Sequence, residues 1–191
     1  MVISDTTILG RPDLIEGGNP LIGPASVDLT LSSNFLVVNE SENIKQIVNP
    51  QTKDINGINM ITLGEKVTYN KINKDEIMIP PLHFVLASTE EIVHIPNDMC
   101  GFVAGRSSVA RSGLQIECAG FIDPGFSGRI TLELYNQNPN HFVTISKGLR
   151  LCQIIFMKLD RECLNPYDGK YQGQTEVTES RMEKDNEQTS D

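Results

Sequence analysis

The sequence predicts an all-β domain, a jelly-roll-like sandwich or barrel, on three observations. Short strand-like runs recur at spacings of about 8–12 residues, many of them alternating apolar and polar side chains. Gly, Pro and Asn punctuate them. No helical period extends beyond about a dozen residues. The length, 191 residues, is that of one ordinary domain with a sizeable core. One domain is expected over residues 1–175, followed by an acidic, flexible tail over 176–191; no internal repeat is found.

Taken in order, Ser4 to Glu16 offers a helix start with Ser4 or Asp5 as cap, which Gly10 and Pro12 keep short. PASVDLTL sets Val27, Leu29 and Leu31 against Asp28 and Thr30, the alternation of a half-buried strand. FLVVN reads as a further strand. Residues 39–78 are polar and read as a surface excursion, with Asn56-Gly57 signalling a hairpin inside it. IPPLHFVLAS, EEIVHIP and MCGFVAG read as three strands, and RITLELYN, HFVTIS and LRLCQIIFMKL as three more.

Composition narrows the function classes. Hydrophobic residues make up 39% and Trp is absent, a globular balance. No run approaches the roughly 20 apolar residues of a membrane span, and the N-terminus has acids where a secretory signal needs bases. A cytoplasmic protein with no membrane partner is expected. Net charge is −9, from 16 basic and 25 acidic residues, which argues against a nucleic-acid footprint. Six acids against two bases give residues 176–191 a charge of −4, so the remainder carries −5. Cys100, Cys118, Cys152 and Cys163 form no CxxC pair and read as reduced, mostly buried thiols. His83, His94 and His141 lie apart, none at the HxE spacing that zinc deaminases combine with PCxxC, so no zinc is expected.

One region concentrates chemistry. Gly105-Arg106-Ser107-Ser108 leaves a strand and opens a helical turn that Gly113 ends; its N–H groups, hydroxyls and cations suit phosphate, and equally an ordinary capped turn with solvated arginines. In the strand at 129–135, Ile130, Leu132 and Leu134 share one face and Arg129, Thr131, Glu133 and Tyr135 the other. Glu133 there is either solvent-facing or, if another subunit covers it, a partly desolvated general acid/base. Asp123-Pro124-Gly125 is a turn in which Asp can be purely structural. Paired with Glu133 it could suggest a glycosidase, against which stands the scarcity of aromatic platforms, about 6% of residues.

GRSSVARSGL, AGFIDPGFSGRITLELYN, PASVDLTL and PYDGKYQGQ, in one order from about residue 24 to about 174, resemble the dCTP deaminase branch of the dUTPase-like superfamily. The resemblance implies a distorted jelly-roll or β-barrel with one or two short helices, assembled as a homotrimer with sites at subunit boundaries. By motif position, Glu133 matches the proton-shuttling glutamate, while Ser107 and the Ala119 carbonyl match the groups that hold the attacking water. Arg111 matches the arginine that orients this cluster. Arg106 and Ser108 fall in the phosphate-contacting stretch, and Asp123 matches the acceptor of the deoxyribose 3′-hydroxyl. Thr131 and Leu132 border the base pocket, and Tyr167, Lys170 and Gln174 match the segment that closes over the triphosphate.

The implied reaction is zinc-independent deamination of dCTP to dUTP and ammonia, with Mg²⁺ bound through the triphosphate. The alternative is a bifunctional enzyme that gives dUMP and pyrophosphate, favoured by Gly120-Phe121 within AGFID. A plain dUTPase lacks its glycine-rich tail here, since residues 175–191 contain no glycine, and would have no need of Glu133. A non-catalytic nucleotide-binding module is the fourth reading, against which Ser107, Arg111 and Glu133 all stand. dTTP is a candidate feedback inhibitor. Ala104 departs from the acid often found before the glycine, with no assigned consequence.

Overall fold

The computed structural model describes residues 1–38, 67–116 and 119–186. The Asn56-Gly57 hairpin, Cys118 and the last residues of the acidic tail lie outside them. Two short helices, α1 (Asp5–Leu9) and α2 (Ser107–Ala110), accompany twelve strands among the described residues. These are β1 (Ile15–Glu16), β2 (Leu21–Ile22), β3 (Val27–Val38), β4 (Tyr69–Asn73), β5 (Glu76–Ile79) and β6 (Phe84–His94), then β7 (Met99–Gly105), β8 (Leu114–Ile116), β9 (Phe121–Ile122), β10 (Ser127–Asn136), β11 (Val143–Ser146) and β12 (Arg150–Lys158).

The main sheet runs β8-β10-β6-β3-β12-β7-β9, with β1 added to β6 and β2 and β4 added to β3; β5 and β11 form a separate pair. Every pairing is antiparallel. The sheet curls on itself because β3 changes partners along its length. Its first residues, Val27–Thr30, pair with β12, and the remainder with β6 and β4; a register shift between Leu31 and Phe35 marks the change. Leu29, Leu31, Phe35, Leu132, Leu134, Ile154 and Phe156, all fully buried, form the centre of the core enclosed by the curl.

Several sequence expectations change. PASVDLTL and FLVVN are one twelve-residue strand, not two, and the runs read as ending at Ser88 and starting at Glu90 are the single strand β6. In both, polar residues that resemble turn signals are buried and partnered across strands. The hydroxyls of Ser32 and Ser88 lie 2.7 Å apart, and Glu91 accepts from Thr30 N at 2.8 Å, Thr30 Oγ1 at 2.6 Å and Asn19 N at 3.1 Å. Gly18, at φ +61°, leaves room for that carboxyl group, since a Cβ there would stand 2.2 Å from Glu91 Oε1.

The later part of the polar excursion is also structured: β4 pairs with β3, and β5 with β11. Ser4 does occupy the N-cap of α1, without a side-chain cap bond; the carboxylate of Asp5 instead accepts from Thr6 N at 2.7 Å. Cys100 and Cys152 are buried and Cys163 is half-buried. Among the described residues no helix is long and apolar enough to cross a membrane.

Candidate active site

Strand register builds one wall of the site. Across four neighbouring strands Lys71 pairs with Leu36, Leu36 with Leu86, and Leu86 with Glu133, so all four side chains project to the same face. Two positions along, Tyr69 pairs with Val38, and Phe84 with Tyr135. On β10 the alternation is strict: Ile130, Leu132 and Leu134 are buried in the core, and Arg129, Thr131, Glu133 and Tyr135 are half-buried on the opposite face. That face carries the floor of a pocket of about 600 Å³, formed by Tyr69, Phe84, Leu86, Thr131 and Glu133.

A second wall is the segment 119–126, which brings Ala119, Gly120, Phe121 and Asp123 to the pocket. Gly125 ends it at φ +88°, where a Cβ would meet Pro166 Cβ at 2.6 Å; the turn closes only with glycine. The third wall is the C-terminal segment. Tyr167 packs against Phe126, ring centres 5.9 Å apart, and donates its backbone N–H to Pro124 O at 2.7 Å. Residues 172–174 then run beside the start of β10. Gly173 N donates to Ser127 O, and Arg129 N to Gln174 O, each at 2.8 Å. Gln172 accepts from Ser127 N and donates to Gly125 O, again at 2.8 Å.

The acidic tail, expected to be solvated from Glu176 onward, remains packed well beyond that residue. Val177 is buried, Thr178 N donates to Thr131 Oγ1 at 3.2 Å, and Arg181 N donates to Tyr171 Oη at 3.1 Å. Glu176 pairs with Lys71 of β4, and the Arg181 guanidinium donates to the Lys170 carbonyl and lies over the Tyr171 ring. One apolar residue and a set of directed polar contacts outweigh the composition that suggested disorder. Thr178, Glu179 and Ser180 consequently line the pocket with Tyr167, Lys170, Tyr171 and Gln174.

Two polar groups of the pocket residues are set apart by their surroundings. Gln174 Nε2 donates to Arg129 O, which fixes the orientation of the amide; its Oε1 is buried and, among the described residues, accepts from no donor. The Tyr69 phenol is pushed above its ordinary range, first by burial and then by the negative charges of Glu179 and Glu133.

Of the residues singled out by sequence, Ala119, Asp123, Thr131, Glu133, Tyr167, Lys170 and Gln174 line this one pocket. Arg106, Ser107, Ser108 and Arg111 do not. Ser107, Ser108 and Arg111 are exposed on and after α2, which Gly113 terminates at φ +78°. Arg106 pairs with Asp28 at 3.1 Å and donates to Arg150 O at 3.1 Å. Leu132 is a correction: strand alternation turns its side chain into the core, 1% exposed, and it does not line the pocket. Tyr69, Thr178 and Glu179 were not anticipated; Tyr69 lies in a stretch read as surface, and the other two in a stretch read as solvated.

A family model described as dCTP deaminase-like matches residues 5–159. A protein of Persephonella marina named "dCTP deaminase, dUMP-forming" is 40% identical over 190 residues, covering 95% of this chain and 97% of its own. A Sulfurihydrogenibium protein of the same name is 39% identical over 189 residues, with 95% and 97% covered. Among solved structures, the 2′-deoxycytidine 5′-triphosphate deaminase of Agrobacterium tumefaciens superposes with a TM-score of 0.58 at 21% identity, over 81% of this chain and 46% of that one, a likeness of fold.

Proposed function

The chain belongs to the dCTP deaminase-like family, and from that membership we propose that it deaminates dCTP and carries the product through to dUMP and pyrophosphate. The motifs pointed first to release of dUTP, with the coupled reaction as alternative. The names carried by relatives that match over nearly the whole chain favour the coupled product. The observation that carries the reading is the convergence of Glu133, Asp123, Lys170 and Gln174 on one pocket.

In this reading the cytosine lies over Thr131 and Glu133. Water held by the Ala119 carbonyl and by Ser107 gives one proton through Glu133 to N3 as its oxygen bonds to C4. Glu133 then carries the proton of the new C4 hydroxyl to the amino nitrogen, the C4–N bond breaks as the C4 carbonyl forms, and ammonia leaves. Water hydrolyses the α–β phosphate linkage in the second step, giving dUMP and pyrophosphate. Asp123 takes the 3′-hydroxyl, Tyr167 packs on the sugar side, and Lys170 offsets triphosphate charge. Mg²⁺ arrives as part of the nucleotide and is substrate, not a resident of the protein.

Ser107, Ser108, Arg106 and Arg111 lie away from the pocket of their own chain. This supports a homotrimer in which α2 of a neighbour completes each site, its Arg111 orienting Glu133 and its Arg106 and Ser108 meeting the phosphates. Arg106 would then have to exchange its contact with Asp28 for the nucleotide. dTTP, with the same sugar and triphosphate, would compete for the same contacts. The cytoplasmic setting belongs to the same reading.

The test is incubation with dCTP and Mg²⁺, with ion-exchange separation of nucleotides and an ammonia assay. Ammonia with dUMP and pyrophosphate is expected; ammonia with dUTP alone would restore the monofunctional reading. Glu133→Gln should retain nucleotide binding and lose ammonia release by roughly 100-fold or more. Parental turnover in that variant would sink the assignment of Glu133.

A further inference from the structure

The pocket contains two groups that no motif supplied, and they come from opposite directions. Tyr69 enters from β4, the strand three removed from Glu133 across the sheet. Glu179 enters from the C-terminal segment, fixed because its neighbour Thr178 donates to Thr131, two residues before Glu133 on the same face. The Glu176 pair with Lys71, two residues after Tyr69 on β4, ties that segment to the same strand as the phenol. The two carboxylates and the phenol therefore share one partly enclosed volume.

Resting on the reading of Glu133 as the proton carrier, we infer that Tyr69 and Glu179 are positioning residues that set the proton affinity of Glu133 in opposite senses. The Tyr69 phenol shares the pocket with both carboxylates, and a protonated phenol that turns its O–H towards Glu133 stabilises the ionised form. The Glu179 charge, in the same half-desolvated space, disfavours that form. The other titratable groups facing the pocket are Asp123 from the 119–126 wall and Tyr167, Lys170 and Tyr171 from the C-terminal segment. Asp123 acts in the sense of Glu179, and Lys170 and, in the proposed trimer, the neighbour's Arg111 act in the sense of Tyr69. Glu179 differs from Tyr69 and Asp123 in being delivered by the segment that closes the pocket. Docking of the 176–181 stretch, which delivers Glu179 but not Lys170, thus raises the affinity of Glu133 for the proton it must accept from water, in step with enclosure of substrate.

The signs make the inference testable. The acidic limb of kcat/KM for ammonia release reports ionisation of the free enzyme's base. Tyr69→Phe should move that limb to higher pH and Glu179→Gln to lower pH, each by about half a unit to one unit. On the acidic limb, kcat/KM should therefore fall about 3- to 10-fold in the first variant and rise comparably in the second. A loss through structural damage would lower both without moving either limb, and that outcome overturns the inference. Ultraviolet titration of the 4 tyrosines gives a readout independent of turnover. The last-titrating phenol should vanish in Tyr69→Phe and titrate earlier in Glu179→Gln and in Glu133→Gln. An unchanged phenol in both carboxylate variants would also overturn the inference. If the parent releases no ammonia from dCTP, the enzymatic reading fails, while the phenol titration still decides whether the three groups are coupled.

Discussion

Glu91 shows how one side chain can hold distant segments together. Fully buried in β6, it takes a backbone N–H and a hydroxyl from Thr30 of β3 and a backbone N–H from Asn19, beside the left-handed Gly18. Both carboxyl oxygens accept. Glutamine, nearly identical in shape, offers one acceptor oxygen, and its amide would face an N–H wherever it was placed. Glu91→Gln should therefore cost about 1–3 kcal/mol, read as a lower urea midpoint with an unchanged slope. An unchanged midpoint would mean that the Asn19 and Thr30 groups find other acceptors. The same residue explains why β6 was hard to read: Thr89-Glu90-Glu91 has the composition of a turn. Its burial depends on Thr30, a partner 61 residues away that local pattern does not reveal.

Elements were legible where burial is one-sided and local. β10 was readable to the residue because its core face carries Ile130, Leu132 and Leu134 and the opposite face does not. β4 was not, because its YNKIN has one strongly apolar side chain and owes its strand form to pairing with β3. The C-terminal segment behaves in the same way. Its composition is that of a solvated tail, yet Val177, Thr178 and Arg181 bind it to β10 and Tyr171. Deletion of residues 176–191 removes a pocket wall and little of the core, since of the fully and nearly buried apolar residues only Val177 is lost. The thermal midpoint should fall by only a few degrees, while kcat/KM for dCTP falls by about tenfold or more. Full activity after truncation would show that the packed segment is dispensable. Motif resemblance singled out residues for nucleotide chemistry; it was silent on Tyr69 and Glu179, whose place in the pocket follows from sheet register and from tail docking.

At the scale of the molecule, four of the proposed residues, Arg106, Ser107, Ser108 and Arg111, lie outside the pocket that holds Glu133. If α2 of one subunit serves Glu133 of the next, co-expressed Ser107→Ala and Glu133→Gln chains should recover activity that neither homotrimer has. In random trimers about a quarter of the sites pair an intact Ser107 with an intact Glu133, so about a quarter of parental activity is expected. Recovery near zero would place both residues in one chain's site or separate them altogether.

The division of β3 between two partners also bears on how the chain comes to be folded. Val27 pairs with Ile154, so the first half of the strand is synthesised roughly 120 residues before the strand it needs. At ordinary translation rates that is a wait on the order of ten seconds with a backbone edge open to other nascent chains. Asp28 and Thr30, the polar positions of that stretch, make it a poor template for such pairing until β12 emerges. The alternation that marks a half-buried strand thus also guards its open edge while the chain is incomplete.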